Sequence, residues 1–169
     1  MSSIRAATEA DLRAILEIEQ LSFEHAGERF AERKIRALIH SRRAIALVAE
    51  REGFVAAWAC GFVFRGSGEM WGRVYAIAVH PGHRKQRLGP SLLRHLLDAL
   101  RQRGAKTIVL EVRTDNRAAI RLYEKHGFHP VRRLENFYGP NISALRMSTS
   151  TDVYSSHENT SPPPSADEQ

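Results

Sequence analysis

The hydrophobic positions of this chain follow two different periods, which together predict a mixture of helices and strands. Apolar residues recur every three to four positions at 12–18 and 88–100, as on the buried face of an amphipathic helix. Shorter apolar runs at 54–64 and 107–112 lack that spacing and are typical of strands. The predicted elements, in order, are a strand at 4–6, helices from 12 and at 28–40, strands at 44–49, 54–64 and 71–79, a helix from 88, a strand at 107–112, a helix at 116–126, and closing strands at 128–134 and 142–147.

The order of these elements, β-α-α-β-β-β-α-β-α-β-β, predicts an α+β domain with a mixed sheet. The turn signal Glu52-Gly53 predicts that the strands on either side of it pair antiparallel. Unbroken apolarity at 54–64 indicates a strand buried on both faces. Pro130 indicates an edge strand or a bulge, because proline has no N–H to donate to a neighbouring strand.

Composition favours one soluble domain followed by a tail. A chain of 169 residues fits a single domain with one core, which we place at residues 1–148. Residues 149–169 are rich in Ser, Thr and Pro and poor in apolar residues, so we predict a disordered acidic tail. The sequence shows no signal-peptide pattern and no apolar run near the roughly 20 residues that span a bilayer. Cys60 is the only cysteine, which rules out an intrachain disulfide, and we expect a cytoplasmic protein.

The net charge of +6 is unevenly distributed. Residues 149–169 contain four acids and no Lys or Arg, so the rest of the chain carries 25 basic side chains against 15 (19 − 4) acidic ones. A basic body attracts nucleic acid, acidic proteins or a polyphosphate cofactor, and charge alone does not choose among them. A solvated arginine-rich surface explains most of these residues equally well.

One stretch, LEVRTDNRAAIRLYEKHGF at residues 110–128, carries polar groups suited to acid–base chemistry. Glu111 lies inside an apolar strand, Asn116 opens the next helix, and Tyr123 follows two turns later. A carboxylate can take a proton from a reacting group and a phenol can give one. Each residue also has a structural interpretation: Glu111 could pair with Arg113 or with an arginine of a neighbouring element, Asn116 could cap its helix, and Tyr123 could be an ordinary half-buried aromatic.

A basic loop precedes this stretch, in the sequence YAIAVHPGHRKQRLGPSLL at residues 75–93. A strand runs into a loop carrying Arg84, Lys85 and Arg87, and the loop opens a helix. Main-chain N–H groups at a helix N-terminus, together with the helix dipole, bind phosphate oxygens. Basic loops before helices are common, but one followed by the strand, Asn and Tyr described above is a specific pattern.

Taken together, the two stretches resemble the GNAT superfamily of acyl-CoA-dependent N-acetyltransferases, and the resemblance covers residues 4–147. The sequence looks most similar to the ribosomal-protein alanine N-acetyltransferases, which acetylate protein N-termini. The closer similarity rests on LEVR at 110–113 and on the ending NFY at 136–138 with ALRM at 144–147. The implied fold is the GNAT fold, a mixed central sheet of about seven strands flanked by four helices.

The resemblance also implies roles for individual residues. Glu111 matches a general base, Tyr123 matches the acid that protonates the departing CoA thiolate, and Tyr138 matches a tyrosine of the substrate groove. A backbone N–H near Val79 would stabilise the oxyanion. Acetyl-CoA is the implied acetyl donor, and no metal is implied; the eight His and one Cys show no zinc-site spacing. The implied cofactor-binding residues are Ile77, Ala78, Val79, Arg84, Lys85, Gln86, Arg87, Leu88, Gly89, Pro90 and Asn116.

Two positions depart from the family's phosphate loop. Arg87 replaces a usual Gly, although Arg adopts positive φ less readily, and Pro90 has no N–H to offer a phosphate. Losing one charge-assisted hydrogen bond of about 1.5–3 kcal/mol could weaken CoA binding roughly ten- to a hundredfold. Arg87 could offset this loss by reaching a phosphate with its side chain, or it could point into solvent.

The expected acceptor is a primary amine, with a protein N-terminus as the first hypothesis. An α-amine has a pKa of about 7.7–8.0 and a Lys amine about 10.4, so deprotonating Lys costs roughly 3.5 kcal/mol more. A single carboxylate base therefore suits an α-amine better. The alternatives are a small amine or a protein lysine as acceptor, and a degenerate acyl-CoA-binding module without activity. The predicted partners are acetyl-CoA and the acceptor, with no membrane, no nucleic acid except through a ribosomal protein, and either a monomer or a homodimer.

Overall fold

A computed structural model describes residues 2–150 of the chain. The predicted tail at 149–169 therefore lies almost entirely outside the described residues, and the domain boundary stays a prediction. Within the described part, the strands are β1 Ser2–Ala6, β2 Ala44–Arg51, β3 Phe54–Arg65, β4 Met70–Val79, β5 Thr107–Arg113, β6 His129–Gly139 and β7 Ile142–Ser148. The α-helices are α1 Leu12–Ser22, α2 Glu32–His40, α3 Leu88–Gln102 and α4 Arg117–Lys125.

The strands form one seven-stranded sheet in the order β1-β2-β3-β4-β5-β7-β6. Every neighbouring pair is antiparallel except β4 and β5, which are parallel. This pair is also short: its register runs only from Trp71↔Thr107 to Arg73↔Val109, although β4 continues to Val79 and β5 to Arg113. The middle of the sheet therefore opens into a gap between the carboxyl-terminal halves of β4 and β5.

The helices cover the sheet in two layers with separate cores. The leucine side chains of α3 pack with Ile108, Leu110 and Val112 of β5 on one face. On the other face, Ile15 and Ile18 of α1 pack with the β3–β4 region. The predicted fold, with its seven-stranded mixed sheet, four helices and element order, is confirmed.

A bulge in the β3–β4 pair changes which face the β4 side chains occupy. The register passes from Cys60↔Ala76 to Gly61↔Val74, so β4 carries one extra residue, Tyr75. Ala76 and Ala78 pack on the α1 side, whereas Val74 packs on the α3 side. Before the bulge, the alternation therefore places Arg73 on the α1 side of the sheet.

Two predicted boundaries were wrong. The helix predicted from residue 28 begins at Glu32, because the chain first makes a short 3₁₀ turn at Ala26–Glu28 and then runs extended at Arg29. The strand predicted to end at 134 continues to Gly139 through an irregular section, in which Asn136 has φ +54° and the register shifts between Leu134 and Gly139. The expected edge position of Pro130 is confirmed, since β6 is the outer strand.

Candidate active site

The gap between β4 and β5 exposes main-chain groups of β4. The N–H of His80 donates to the oxygen of Ala56 at 2.9 Å, which makes Val79↔Ala57 a pair whose own N–H and C=O groups point away from each other. By the same alternation, the main-chain groups of Ile77 and Val79 face the gap, whereas those of Ala78 face β3. An extended ligand arm could therefore pair with the main chain of Ile77 and Val79, but not with that of Ala78.

A contact from α1 holds the end of this strand. The hydroxyl of Ser22, the last residue of α1, donates to the main-chain oxygen of Val79 at 3.2 Å. This contact joins residues 57 positions apart, and the sequence gives no sign of it. It leaves the N–H of Val79 as the hydrogen-bonding group that points into the gap at the end of β4.

The loop after β4 presents positive charge at the N-terminus of α3. Arg84, Lys85 and Arg87 are exposed, and none of them is in an ion pair within residues 2–150. Lys85 (φ +63°) and Arg87 (φ +61°) both adopt left-handed backbone conformations. Arg87 thus has the conformation that the family's glycine would have, and it directly precedes the first residue of α3.

The first turn of α3 contains the other loop residues. Leu88, Gly89 and Pro90 are its first three positions, where helical N–H groups have no partner within the helix. Leu88 and Gly89 each have an N–H to offer an anion, and Pro90 has none. A β-carbon on Gly89 would lie 3.6 Å from a methyl carbon of Val79, at ordinary contact distance. The packing of the protein therefore does not require glycine here, and the open surface beside its Cα fits a close-lying phosphate.

Asn116 caps α4. Its side-chain oxygen accepts a hydrogen bond from the N–H of Ala119 at 3.1 Å. The capping interpretation is therefore confirmed, and the amide NH₂ of Asn116 stays available for a second partner. The cap fixes this residue at the carboxyl end of β5, next to the gap.

Tyr123 lies on the buried side of α4. Its ring meets Phe128 edge-on with centroids 5.9 Å apart, and 6% of the residue is exposed. Burial raises the pKa of the Tyr123 phenol above its usual value, so the phenol stays protonated at neutral pH. Within residues 2–150 the hydroxyl has no hydrogen-bond partner, yet it is not sealed from solvent. A protonated donor of this kind can give its proton to a bound leaving group.

Glu111 is held between two arginines of neighbouring strands. Its Oε2 accepts from Nε of Arg73 at 3.0 Å and lies 2.8 Å from Nη2 of the same residue. Its Oε1 accepts from Nε of Arg146 at 2.9 Å. Only 5% of the Glu111 side chain is exposed. Of the two pairings considered from sequence, the one with an arginine of a neighbouring element is correct. Arg113 instead pairs with Glu28 and Asp115.

Tyr138 completes this side of the site. Its hydroxyl donates to the main-chain oxygen of Glu111 at 3.1 Å. Burial raises the pKa of the Tyr138 phenol, and the nearby groups Glu111 and Tyr123 act in the same direction. Tyr138 therefore contacts the main chain of Glu111 and lies within electrostatic range of both Glu111 and Tyr123.

A buried carboxylate in α1 was missed by the sequence reasoning. Glu19 is 1% exposed, and its two oxygens accept from Nε1 of Trp58 and from the N–H of Phe30, both at 2.9 Å. Burial raises the pKa of Glu19 to about 7. These bonds tie α1 to β3 and to the segment before α2. Glu19 follows Leu12 by seven positions and Ile15 by four, so the helical spacing that places those two residues on the buried face places Glu19 there as well. That spacing is the signal in the sequence that could have identified it.

Two features are absent from the described residues. Among residues 2–150, no cluster of three or more His, Cys, Asp or Glu side chains is placed to bind a metal ion. None of the helices in that range combines the length and the apolar composition needed to cross a bilayer.

Comparison with known proteins agrees with this geometry. Residues 12–128 match the Acetyltransferase (GNAT) family. The chain is 31% identical over 132 residues to N-alpha-acetyltransferase 30 of Schizosaccharomyces pombe, covering 77% of this chain and 87% of that protein. It is 48% identical to the [ribosomal protein bS18]-alanine N-acetyltransferase of Escherichia coli K12, over 65 residues that cover 38% of this chain and 44% of that enzyme.

A solved structure extends this second similarity to nearly the whole domain. The crystal structure of the ribosomal-protein-S18-alanine N-acetyltransferase from Escherichia coli superposes with a TM-score of 0.75 and 30% identity, covering 91% of this chain and 99% of that one. The chain belongs to the GNAT acetyltransferase family. Both the family and the likeness to the ribosomal-protein alanine enzymes, predicted from sequence, are confirmed.

Proposed function

We propose that the protein transfers the acetyl group of acetyl-CoA to the α-amine of a protein N-terminus. The observation that carries the proposal is the gap between β4 and β5. One wall offers the main chain of Ile77 and Val79, the basic loop lies at its end, and Glu111 and Tyr123 lie on the opposite side. A cytoplasmic location stays a prediction that accompanies this function.

The residues of the gap fit the parts of acetyl-CoA. The pantetheine arm carries amides that can pair with the main chain of β4, and the pyrophosphate suits the N–H groups that open α3. Arg84, Lys85 and Arg87 add positive charge next to those groups, and none of the three is in an ion pair with another residue of 2–150. Arg87 adopts the left-handed conformation that glycine would adopt at this position. The replacement of glycine by arginine therefore does not change the path of the loop.

The chemistry assigned to the residues is direct transfer. The amine nitrogen forms a bond to the thioester carbon, and the carbon–sulfur bond breaks. The N–H of Val79 stabilises the negative charge on the carbonyl oxygen. Glu111 takes the proton that the amine loses, directly or through a water, and Tyr123 gives its proton to the sulfur. Because burial keeps the phenol protonated, Tyr123 is ready to act as the acid at neutral pH.

The acceptor side supports a peptide N-terminus. Tyr138 contacts Glu111 from β6, and the segment before α2 closes against β6 next to it. Two relatives of the chain are named for acetylating ribosomal-protein alanine and for N-alpha-acetylation. A single carboxylate base also suits an α-amine better than a lysine, whose deprotonation costs roughly 3.5 kcal/mol more.

A thiol-release assay with three sets of acceptors tests the proposal. Wild-type protein is incubated with acetyl-CoA and peptides with free N-termini beginning with alanine, peptides with a blocked N-terminus and one lysine, or polyamines and amino acids. We expect the first set to turn over with the highest kcat/KM. A higher kcat/KM for lysine peptides or small amines would contradict the acceptor assignment. Acetyl-CoA binding by calorimetry without turnover of any acceptor would instead indicate a non-catalytic module.

A further inference from the structure

The two arginines that bind Glu111 have no role in the mechanism proposed above. Arg73 comes from β4 and Arg146 from β7, so they approach the carboxylate from strands on both sides of β5. The side chains of Arg73 and Arg146 are 5% and 15% exposed, respectively. Two cations and one anion thus share a nearly dry site, where a misplaced charge is costly.

The sheet register explains how the three side chains meet. Glu111 and Arg146 are direct cross-strand partners in the β5–β7 pair. Arg73 is level with Val109, two residues before Glu111, and reaches it diagonally on the same face. The guanidinium of Arg73 also lies over the ring of Tyr75, 4.8 Å from its centroid, in a cation–π contact. Arg73 reaches this face only because of the bulge in β4.

The hydrogen-bond geometry limits where a reacting group can approach the carboxylate. Two nitrogens of Arg73 lie within 3.0 Å of Oε2: Nε donates a hydrogen bond and Nη2 is 2.8 Å away. Within residues 2–150, Oε1 accepts only from Nε of Arg146, at 2.9 Å. The Arg73 guanidinium therefore covers Oε2, and Oε1 is the oxygen that keeps an acceptor position for a reacting group.

We propose that Arg73 and Arg146 are positioning residues of the transfer reaction, which hold the Glu111 carboxylate so that only Oε1 meets the acceptor amine or its water. This inference rests on the proposed function, because it assigns Glu111 the role of proton acceptor. Arg146 is the more informative of the two, since it binds the oxygen that does the work and its partial exposure makes it replaceable. Arg73 is enclosed on all sides, and its substitution would combine folding with catalysis.

Arg146→Met tests this role with little loss of packing volume. Misplacing a catalytic group by about 1 Å can cost about a hundredfold, so we expect kcat on an N-terminal peptide to fall roughly 10- to 100-fold. The dissociation constant of acetyl-CoA should stay within about twofold. The acidic limb of the kcat/KM–pH profile should move, because the environment of the proton acceptor changes, and Arg146→Lys should recover part of kcat.

The matched control is Arg132→Met. Arg132 is opposite Arg146 in the β6–β7 register, is exposed, and is not among the residues of 2–150 that form a hydrogen bond or ion pair with Glu111. We expect it to leave kcat and the pH profile unchanged. In a Glu111→Gln background, Arg146→Met should change kcat less than about twofold, because there is no carboxylate left to position.

The outcomes separate positioning from structure. A lower melting temperature of Arg146→Met with unchanged kcat and pH profile would make the arginine purely structural and overturn the inference. Independent, multiplying effects of Arg146→Met and Glu111→Gln would also overturn it. If wild-type protein binds acetyl-CoA but turns over no acceptor, the proposed function fails first, and the positioning role fails with it.

Discussion

A β-carbon on Gly27 would lie 2.1 Å from the main-chain oxygen of Tyr138. No side chain fits at that distance, so the segment before α2 and strand β6 touch through their backbones. Arg113 of β5 bonds Glu28 at 3.2 Å and fastens the same segment to the sheet. One side of the proposed acceptor site is therefore closed by a contact that only glycine permits.

Gly27→Ala should disturb the acceptor side and leave the donor side unchanged. The new methyl group must push the segment away from Tyr138, at a cost of about 1–3 kcal/mol, as for other overpacked sites. We expect a higher KM for the peptide acceptor and an acetyl-CoA dissociation constant within about twofold of wild type. Gly68→Ala is the control, because a β-carbon there meets nothing within 4 Å. Equal peptide KM values for wild type and Gly27→Ala would refute this account.

Gly89→Ala should have the opposite signature. The added methyl group has room in the protein, 3.6 Å from Val79, so the melting temperature should stay near that of wild type. If a phosphate lies against this position, acetyl-CoA affinity should fall about tenfold or more. Calorimetric titration with acetyl-CoA measures the effect. Unchanged affinity would show that the pyrophosphate does not approach the first turn of α3.

Tyr123→Phe should remove catalysis without removing stability. Its hydroxyl bonds to none of residues 2–150, so the melting temperature should not change. A general acid contributes about 10²–10⁴-fold, and kcat should fall within that range while acetyl-CoA binding persists. Tyr138→Phe removes the same atom from the neighbouring phenol and loses its bond to Glu111, with an expected cost of about 1 kcal/mol in stability. Retention of kcat by Tyr123→Phe would exclude it as the acid.

Arg87→Gly should relieve the backbone at the start of α3. A left-handed residue other than glycine costs roughly 1–2 kcal/mol, part of which is offset by the greater freedom of glycine in the unfolded chain. We expect a stabilisation of up to about 1 kcal/mol in urea denaturation. Arg87→Ala keeps the unfavourable φ and should give no such gain. Because both variants lose the guanidinium, an equal drop in their acetyl-CoA affinity would report its contact with phosphate.

Glu19 should make stability depend on pH near neutrality. Its pKa is raised from 4.5 to about 7 in the folded protein, so folding favours the protonated form. This contribution is fully present below about pH 4.5 and is lost as the pH rises through about 7, with a size of up to about 3 kcal/mol. Asp11, whose pKa is lowered to about 2, makes stability depend on pH only at much lower pH.

The difference between wild type and Glu19→Gln isolates this effect. The amide offers one oxygen to two N–H donors, so the variant should be less stable at pH 5. The difference in free energy of unfolding between the two proteins should become smaller towards pH 8. Urea midpoints at intervals between pH 5 and 8 measure it. A difference in free energy of unfolding that does not vary with pH would show that Glu19 does not titrate in this range.

Local signals in the sequence predicted most of the fold. Apolar spacing in α3 and the turn at Glu52-Gly53 depend only on near neighbours, and both matched the structure. Glu111 and Tyr123 were predicted as site residues because they stand in a contiguous stretch with a recognisable pattern. The partner Arg146 of Glu111 was not identified, since the two residues are 35 positions apart and meet across a strand pair. Such a contact depends on register, which the spacing of side chains along one strand does not specify.

The bulge in β4 divides one strand into two functional halves. After Tyr75 the strand alternates so that Ala76 and Ala78 pack under α1, and its free main-chain edge faces the gap. Before Tyr75 the odd-numbered side chains, instead of the even-numbered ones, lie on the α1 side. Arg73 therefore contacts Glu111 and not the leucines of α3. If the same sequence alternated without the bulge, Ala76 and Ala78 would keep their side of the sheet, and Arg73 would face the leucines of α3 instead of Glu111. The one extra residue, Tyr75, therefore determines which face of the sheet the side chains of each half of β4 occupy.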